Sequence, residues 1–187
     1  MDGTDLIKFF YIFLCFITAL VSYRGCFNIR DWQYLVVGMG FTVAADFFMV
    51  LMNNDFIGLF FFIFVHAAYI VRAGVGRRKV IMVLSGALVL ALVLPFDTLP
   101  LLALVYACFF VWDIYINIKT ARFLIITGLL LFALCDINVL IYSLPAYFPG
   151  TAGAARIAYK LIWWFYAPAQ GLLAVSALRF NGKKCYN

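Results

Sequence analysis

Long apolar runs separated by short polar intervals repeat along the whole chain. They fall at 6–23, 32–52, 56–71, 80–94, 99–118, 123–144 and 157–178. A helix that crosses a bilayer needs about 20 mostly apolar residues. In hydrocarbon every backbone N–H and C=O must be paired within the protein, so such runs are helices. The pattern predicts an all-α, polytopic transmembrane bundle of about seven helices, forming one domain over residues 1–187. The intervals carry turn chemistry. Residues 24–31 hold Gly25 and Asn28, Asn53-Asn54-Asp55 reads as a tight turn, residues 74–79 are rich in Gly and Arg, and Pro95-Phe96-Asp97 reads as a second tight turn. The first run is preceded by Asp2 and Asp5 rather than by a basic segment, and it lacks a small-residue cleavage site. It therefore reads as a retained helix rather than a signal peptide.

Composition agrees with a membrane exterior. Hydrophobic residues make up 67% of the chain and charged residues only 12%, too few to solvate the surface of a soluble domain. Mean hydropathy is +1.07. Positive charge then gives the bundle a direction. With the two sides numbered alternately, one side collects Arg24, Arg30, Arg72, Arg77, Arg78, Lys79, Lys119, Arg122, Arg179, Lys183 and Lys184. The other holds Lys8, Arg156 and Lys160. Short basic loops stay cytoplasmic, so the N-terminus is expected outside and the C-terminus in the cytoplasm. An even number of helices would destroy the asymmetry. The basic excess thus follows from topology, so no nucleic-acid partner is implied, while Arg77, Arg78 and Lys79 are placed to meet anionic lipid heads.

The five cysteines, Cys15, Cys26, Cys108, Cys135 and Cys185, are scattered and read as small packing residues. His66 is the only histidine, so no multi-histidine metal site is available, and no cofactor is expected.

Two acids sit deep inside apolar runs, where a charge costs about 2.5–3.5 kcal/mol on insertion scales and signals function. Asp46 lies fourteen residues past Trp32 and Asp136 fourteen past Arg122. At 1.5 Å per residue, both reach the same depth, roughly 10–12 Å below the outer helix ends. Gly38, Thr42 and Asp46 share one helical stripe, and Gly128, Phe132 and Asp136 repeat it. His66 shares a stripe with Gly58 and Phe62 and lies beside Tyr69. On the last run Trp163, Tyr166 and Gln170 share a stripe, and Gln170 reaches a similar depth. Convergence on one outward-opening cavity is the functional expectation. The plain alternative is hydrogen bonding between packed helices, with Gln170 as interhelical glue and His66 as a satisfied core histidine. Asp113, near the cytoplasmic end of its run, is expected to be solvated or paired with Lys119, and Asp55 and Asp97 are expected in turns.

These residues resemble the YhhN-like lysoplasmalogenase family. Its Gly-x-x-Phe-Ser-x-x-Gly-Asp pattern is matched by Gly38, Phe41, Thr42, Ala45 and Asp46, with Thr and Ala in place of Ser and the second Gly. The Phe, Gly and His–Tyr residues of its next helix are matched by Phe56, Gly58, His66 and Tyr69. A late Gly-x-x-x-Phe-x-x-Ser-Asp is similar to Gly128, Phe132, Cys135 and Asp136. The final Tyr-Tyr-x-Ala-Gln is similar to Tyr166-Ala167-Pro168-Ala169-Gln170. The chain departs from the family in having seven runs rather than eight helices, and in Lys8-Phe9 where Lys-Pro is usual. The resemblance implies a membrane-embedded hydrolase that cleaves the vinyl ether of lysoplasmalogens, releasing a fatty aldehyde and a glycerophospho-alcohol. It implies a lysophospholipid substrate, membrane lipids as surroundings, and residence in the plasma or inner membrane of a bacterium or the endoplasmic reticulum of a eukaryote.

The chemistry suits two carboxyls. A vinyl ether is cleaved by protonating its β-carbon, which creates an oxocarbenium ion that water attacks. That needs one carboxyl holding a proton and another free to ionise, as in a pair within a low-dielectric site. Asp46 and Asp136 are the expected acid/base pair. His66, Tyr69, Tyr166, Gln170 and Thr42 are expected to orient substrate or water. Two other readings stand beside this one. A proton-coupled carrier or lipid-binding protein fits intramembrane acids, although no full inverted repeat is visible. An intramembrane aspartyl protease also uses two Asp on separate helices, but its Gly-x-Gly-Asp run is replaced here by Val43-Ala44-Ala45-Asp46. A serine hydrolase is disfavoured by the absence of a Gly-x-Ser-x-Gly run.

Overall fold

The structure, a computed structural model, describes residues 3–26, 28–93, 99–120 and 122–178. Among them are seven α-helices and no strand. They are α1 (Gly3–Val21), α2 (Ile29–Asp46), α3 (Asp55–Arg72), α4 (Arg77–Val93), α5 (Leu99–Thr120), α6 (Phe123–Ser143) and α7 (Ala152–Val175). The protein is an all-α helical membrane protein. The helices α1, α3, α5 and α6, together with α2 and its following turn, are long and apolar enough to cross a bilayer. The expected Pro95-Phe96-Asp97 turn, Cys185, and the basic residues Arg179, Lys183 and Lys184 lie outside the described residues.

Helix boundaries follow local chemistry. The side chain of Asn28 caps α2, accepting from the backbone N–H groups of Arg30 and Asp31 at 2.8 and 3.4 Å. Asn54 caps α3 through the N–H of Ile57 at 3.1 Å. Asn53 before it adopts φ +49°, the left-handed region that Asn tolerates, as the turn reading of this break anticipates. The start of α7 falls five residues before its apolar run, at Ala152, because Ala-Gly-Ala-Ala continues the helix where hydropathy falls. After Asp46, α2 widens into a π-helical turn over Phe47–Leu51. Such turns are rare and are frequent at functional sites.

In the bundle, α6 lies along α7, α2 along α3, and α3 along α5, with α1 across α2 and α7 and α4 resting on α3. The interior is built from Ile12, Leu35, Met39, Ile70, Leu129 and Leu173, all fully buried. Large apolar side chains such as Met82, Leu130, Phe123 and Trp164 point out of the bundle, as a lipid-facing exterior requires.

Small residues set the closest approaches. A Cβ on Gly38 would sit 2.4 Å from Cε1 of Tyr69, and one on Gly128 would sit 2.9 Å from Cγ of Leu173 and 3.3 Å from the carbonyl oxygen of Ala169. The Tyr69 ring is fully enclosed and has no room to retreat. Gly38→Ala is therefore expected to lose about 1–3 kcal/mol despite the better helix propensity of Ala. Thermal unfolding in detergent reads this loss, and an unchanged midpoint would contradict the packing.

One end of the bundle is closed by charge. Asp31 at the start of α2 accepts two hydrogen bonds from Arg72 at the end of α3, from Nε at 3.1 Å and Nη2 at 2.8 Å. Arg122, the residue before α6, donates to the same carboxylate. The remaining Nη1 of Arg72 donates to Ser176 Oγ, just past α7, at 2.8 Å. Cys26 and Leu178 form a backbone bridge at the same end. Near the start of α1, Lys8 pairs with Asp5 and lies over the rings of Tyr159 and Trp163 of α7.

Candidate active site

Asp46 and Asp136 are each held by a tyrosine from another helix. Tyr166 Oη of α7 donates to Asp46 Oδ2 at 2.6 Å, and Tyr106 Oη of α5 donates to Asp136 Oδ2 at 2.6 Å. A hydrogen bond to an ionised carboxylate is short and about twice as strong as a neutral one. Asp46 is buried and Asp136 half-buried. In both carboxyls the second oxygen receives no hydrogen bond from the described residues.

The two tyrosines are joined through one aromatic cluster. Phe132 of α6 is the hub. Its ring centroid lies 5.4 Å from that of Tyr166, 5.6 Å from Phe62, 5.4 Å from Phe110 and 5.8 Å from His66. Tyr106 closes the group, 6.0 Å from Phe62 and 5.3 Å from His66. Phe132 faces this cluster because it lies one helical turn before Asp136 and one after Gly128, the position where α7 comes closest.

His66 is fully buried, but neither candidate carboxyl bonds to it. Its Nδ1 is 2.9 Å from Asp113 Oδ2. Asp113 is completely buried, which corrects the expectation of a solvated residue paired with Lys119. Asn117, one turn on, donates to Asp113 Oδ1 at 2.7 Å, and Lys119 lies over the ring of Tyr115 instead. A buried carboxylate requires such partners.

The other expected site residues divide. Tyr166 joins the site as a carboxyl partner. Thr42 is buried on the Asp46 stripe, with its hydroxyl donated to the carbonyl of Gly38 at 3.2 Å within its own helix. Tyr69 and Gln170 are fully buried, yet the Tyr69 hydroxyl and both amide atoms of Gln170 have no hydrogen-bond partner, nor has Nε2 of His66. A polar atom left unpaired inside a protein costs about 1–3 kcal/mol. Each such atom on a buried side chain calls for an explanation beyond packing.

Tyr106 escapes the sequence reading, and Asp113 is misplaced by it. For Asp113 a signal is present. Leu102, Tyr106, Phe110, Asp113 and Asn117 recur every three or four residues along α5 and form its buried face, so Asp113 shares its stripe with an aromatic run. Cys15, Cys26 and Cys135 are buried as expected, whereas Cys108 lies exposed on the outer face of α5. Among the described residues no group of His, Cys or Asp side chains has the grouping needed to hold a metal ion.

The chain matches no protein-family model, no curated protein and no solved structure.

Proposed function

We propose that this protein is a membrane-embedded ether hydrolase of the YhhN-like lysoplasmalogenase kind, cleaving the vinyl ether of lysoplasmalogens. The observation that carries the reading is the pair of intramembrane carboxyls, Asp46 and Asp136, each held by a buried tyrosine of one aromatic cluster. The protonated member of the pair gives its proton to the β-carbon of the vinyl ether. The π pair of the C=C bond forms the new C–H bond, the carbons stay joined by a single bond, and the carbon bearing oxygen becomes an oxocarbenium ion. Water adds to the cationic carbon, its extra proton leaves to a base, and the hemiacetal collapses to aldehyde and alcohol. The rings of Phe132, Phe110, Tyr106 and Tyr166 pack together in this region, and an aromatic face attracts positive charge such as that of the oxocarbenium ion. Tyrosine hydroxyls hold the carboxyls in fixed rotamers, so little reorganisation accompanies proton transfer.

The substrate lies in the bilayer with its headgroup at the surface, so an active site within the helices suits a lysophospholipid. The charge asymmetry orients the N-terminus outward and the Asp31 end toward the cytoplasm. By this reading the protein resides in the plasma or inner membrane of a bacterium or the endoplasmic reticulum of a eukaryote.

The test uses purified protein with lysoplasmalogen and its saturated-ether analogue. Aldehyde is expected from the first alone, because only the vinyl ether can be protonated at carbon. No aldehyde from either would reject the reading. Uptake into proteoliposomes without hydrolysis would then favour the carrier, and cleavage of a peptide substrate the protease.

A further inference from the structure

The dyad His66–Asp113 has no place in a mechanism that uses only Asp46 and Asp136, yet it is among the most deeply buried polar groups of the protein. Both side chains have zero exposure. The two oxygens of Asp113 are both used, Oδ2 toward His66 Nδ1 at 2.9 Å and Oδ1 by Asn117 Nδ2 at 2.7 Å. The same Asn117 amide is anchored on the backbone carbonyl of Asp113 at 3.0 Å, and the carboxyl cannot turn without losing both of its own bonds. The imidazole is clamped as well. Phe110 stacks on it at 4.5 Å with a 28° interplanar angle, and Tyr106 and Phe132 border it. Its other nitrogen, Nε2, is buried and bonded to nothing.

We propose that Asp113 is a positioning residue that holds His66 in its Nδ1–H tautomer, which leaves Nε2 as the base that takes the proton of the attacking water. A carboxylate facing Nδ1 requires the proton there, and neutral imidazole then presents a bare lone pair at Nε2. Tyr106, whose ring adjoins His66, is the residue that holds Asp136, and Phe132 packs against both His66 and Tyr166, which holds Asp46. The proton account closes. One carboxyl of the Asp pair loses a proton to the β-carbon, and water forms the new C–O bond and gives its proton to Nε2. The hemiacetal hydroxyl proton passes to the departing ether oxygen as the C–O bond breaks. His66 then returns its proton to the carboxylate.

The chemistry rests on the hydrolase reading, but its first test does not. His66 is the only histidine in the chain, so ¹⁵N-histidine labelling of the full-length protein in lipid nanodiscs reports on one residue. The expected spectrum of the substrate-free protein shows a protonated Nδ1 and a bare Nε2. A proton on Nε2 alone, or on both nitrogens, overturns the proposal. Asp113→Ala is expected to move the proton to Nε2, the intrinsic preference of imidazole, and to lower kcat about 100-fold with KM little changed. An unmoved proton or an unchanged kcat in that variant overturns it as well. Should Asp113→Ala fail to fold, the wild-type spectrum still decides, and Asn117→Ala provides the milder perturbation, with a mixed tautomer expected and an unchanged one contrary. The spectrum needs no substrate, so its failure is distinct from failure of the lysoplasmalogen assay.

Discussion

Asp46→Asn and Asp136→Asn are each expected to reduce aldehyde release from lysoplasmalogen about 10³-fold, within the range that general acid–base groups contribute. Asn preserves the shape of the side chain and still offers a carbonyl oxygen to the hydroxyl of Tyr166 or Tyr106, so the helix contacts survive. What is lost is the exchangeable carboxyl proton. Because the two carboxyls act as a unit, the double variant is expected to be about as slow as the worse single variant rather than 10⁶-fold slower. A dehydrogenase-coupled aldehyde assay measures the rate, and circular dichroism with thermal unfolding in the same detergent verifies the fold. Normal turnover in either single variant would remove the Asp pair from the mechanism.

The largest expected effect on stability comes from the other end of the bundle. Asp31→Ala leaves Arg72, with its side chain 2% exposed, without the carboxylate that receives two of its donors. Breaking a buried pair from one side costs about 3–5 kcal/mol, because the surviving charge is neither solvated nor matched. Arg122 suffers less, since it is 37% exposed and reaches water. Removing both charges in Asp31→Leu/Arg72→Met is expected to recover most of the loss, as apolar replacements of buried pairs generally do. Denaturant unfolding in detergent reads the difference. A loss in Asp31→Ala no larger than that of Asp5→Ala, which breaks only the half-exposed Lys8 pair, would contradict this account.

Much of the molecule is legible in the sequence because lipid imposes simple constraints. Hydrophobic runs must be helices, and the breaks at Asn28 and Asn54 carry the N-caps that begin α2 and α3. Asp46 and Asp136 stand out because a carboxyl in an apolar run demands a reason. Their tyrosine partners are less visible. Tyr166 is visible through its stripe with Gln170, but Tyr106 lies among so many aromatic residues that its hydroxyl carries no separate signal. Asp113 misleads because linear distance to Lys119 is short, whereas rotation around α5 turns the two side chains to different surroundings: Asp113 faces α3 and Lys119 lies over Tyr115. Asp31 sits at a helix start, where an acidic residue already has an electrostatic explanation, and that explanation hides its tertiary role. Depth is thus readable from one dimension, while pairing across helices is not.

The knot around Asp31 also sets a timetable for biogenesis. Its members are far apart along the chain: Arg72 lies 41 residues from Asp31, Arg122 lies 91 residues from it, and Ser176 lies 104 from Arg72. During synthesis the Asp31–Arg72 clasp becomes available once α3 emerges. Arg122 adds to it only as α6 begins, and the hydroxyl of Ser176 arrives only after α7 is complete. Loss of a short C-terminal stretch that includes Ser176 would therefore leave a chain with its helices inserted but its last latch open, a form that cellular quality control can distinguish from the finished protein.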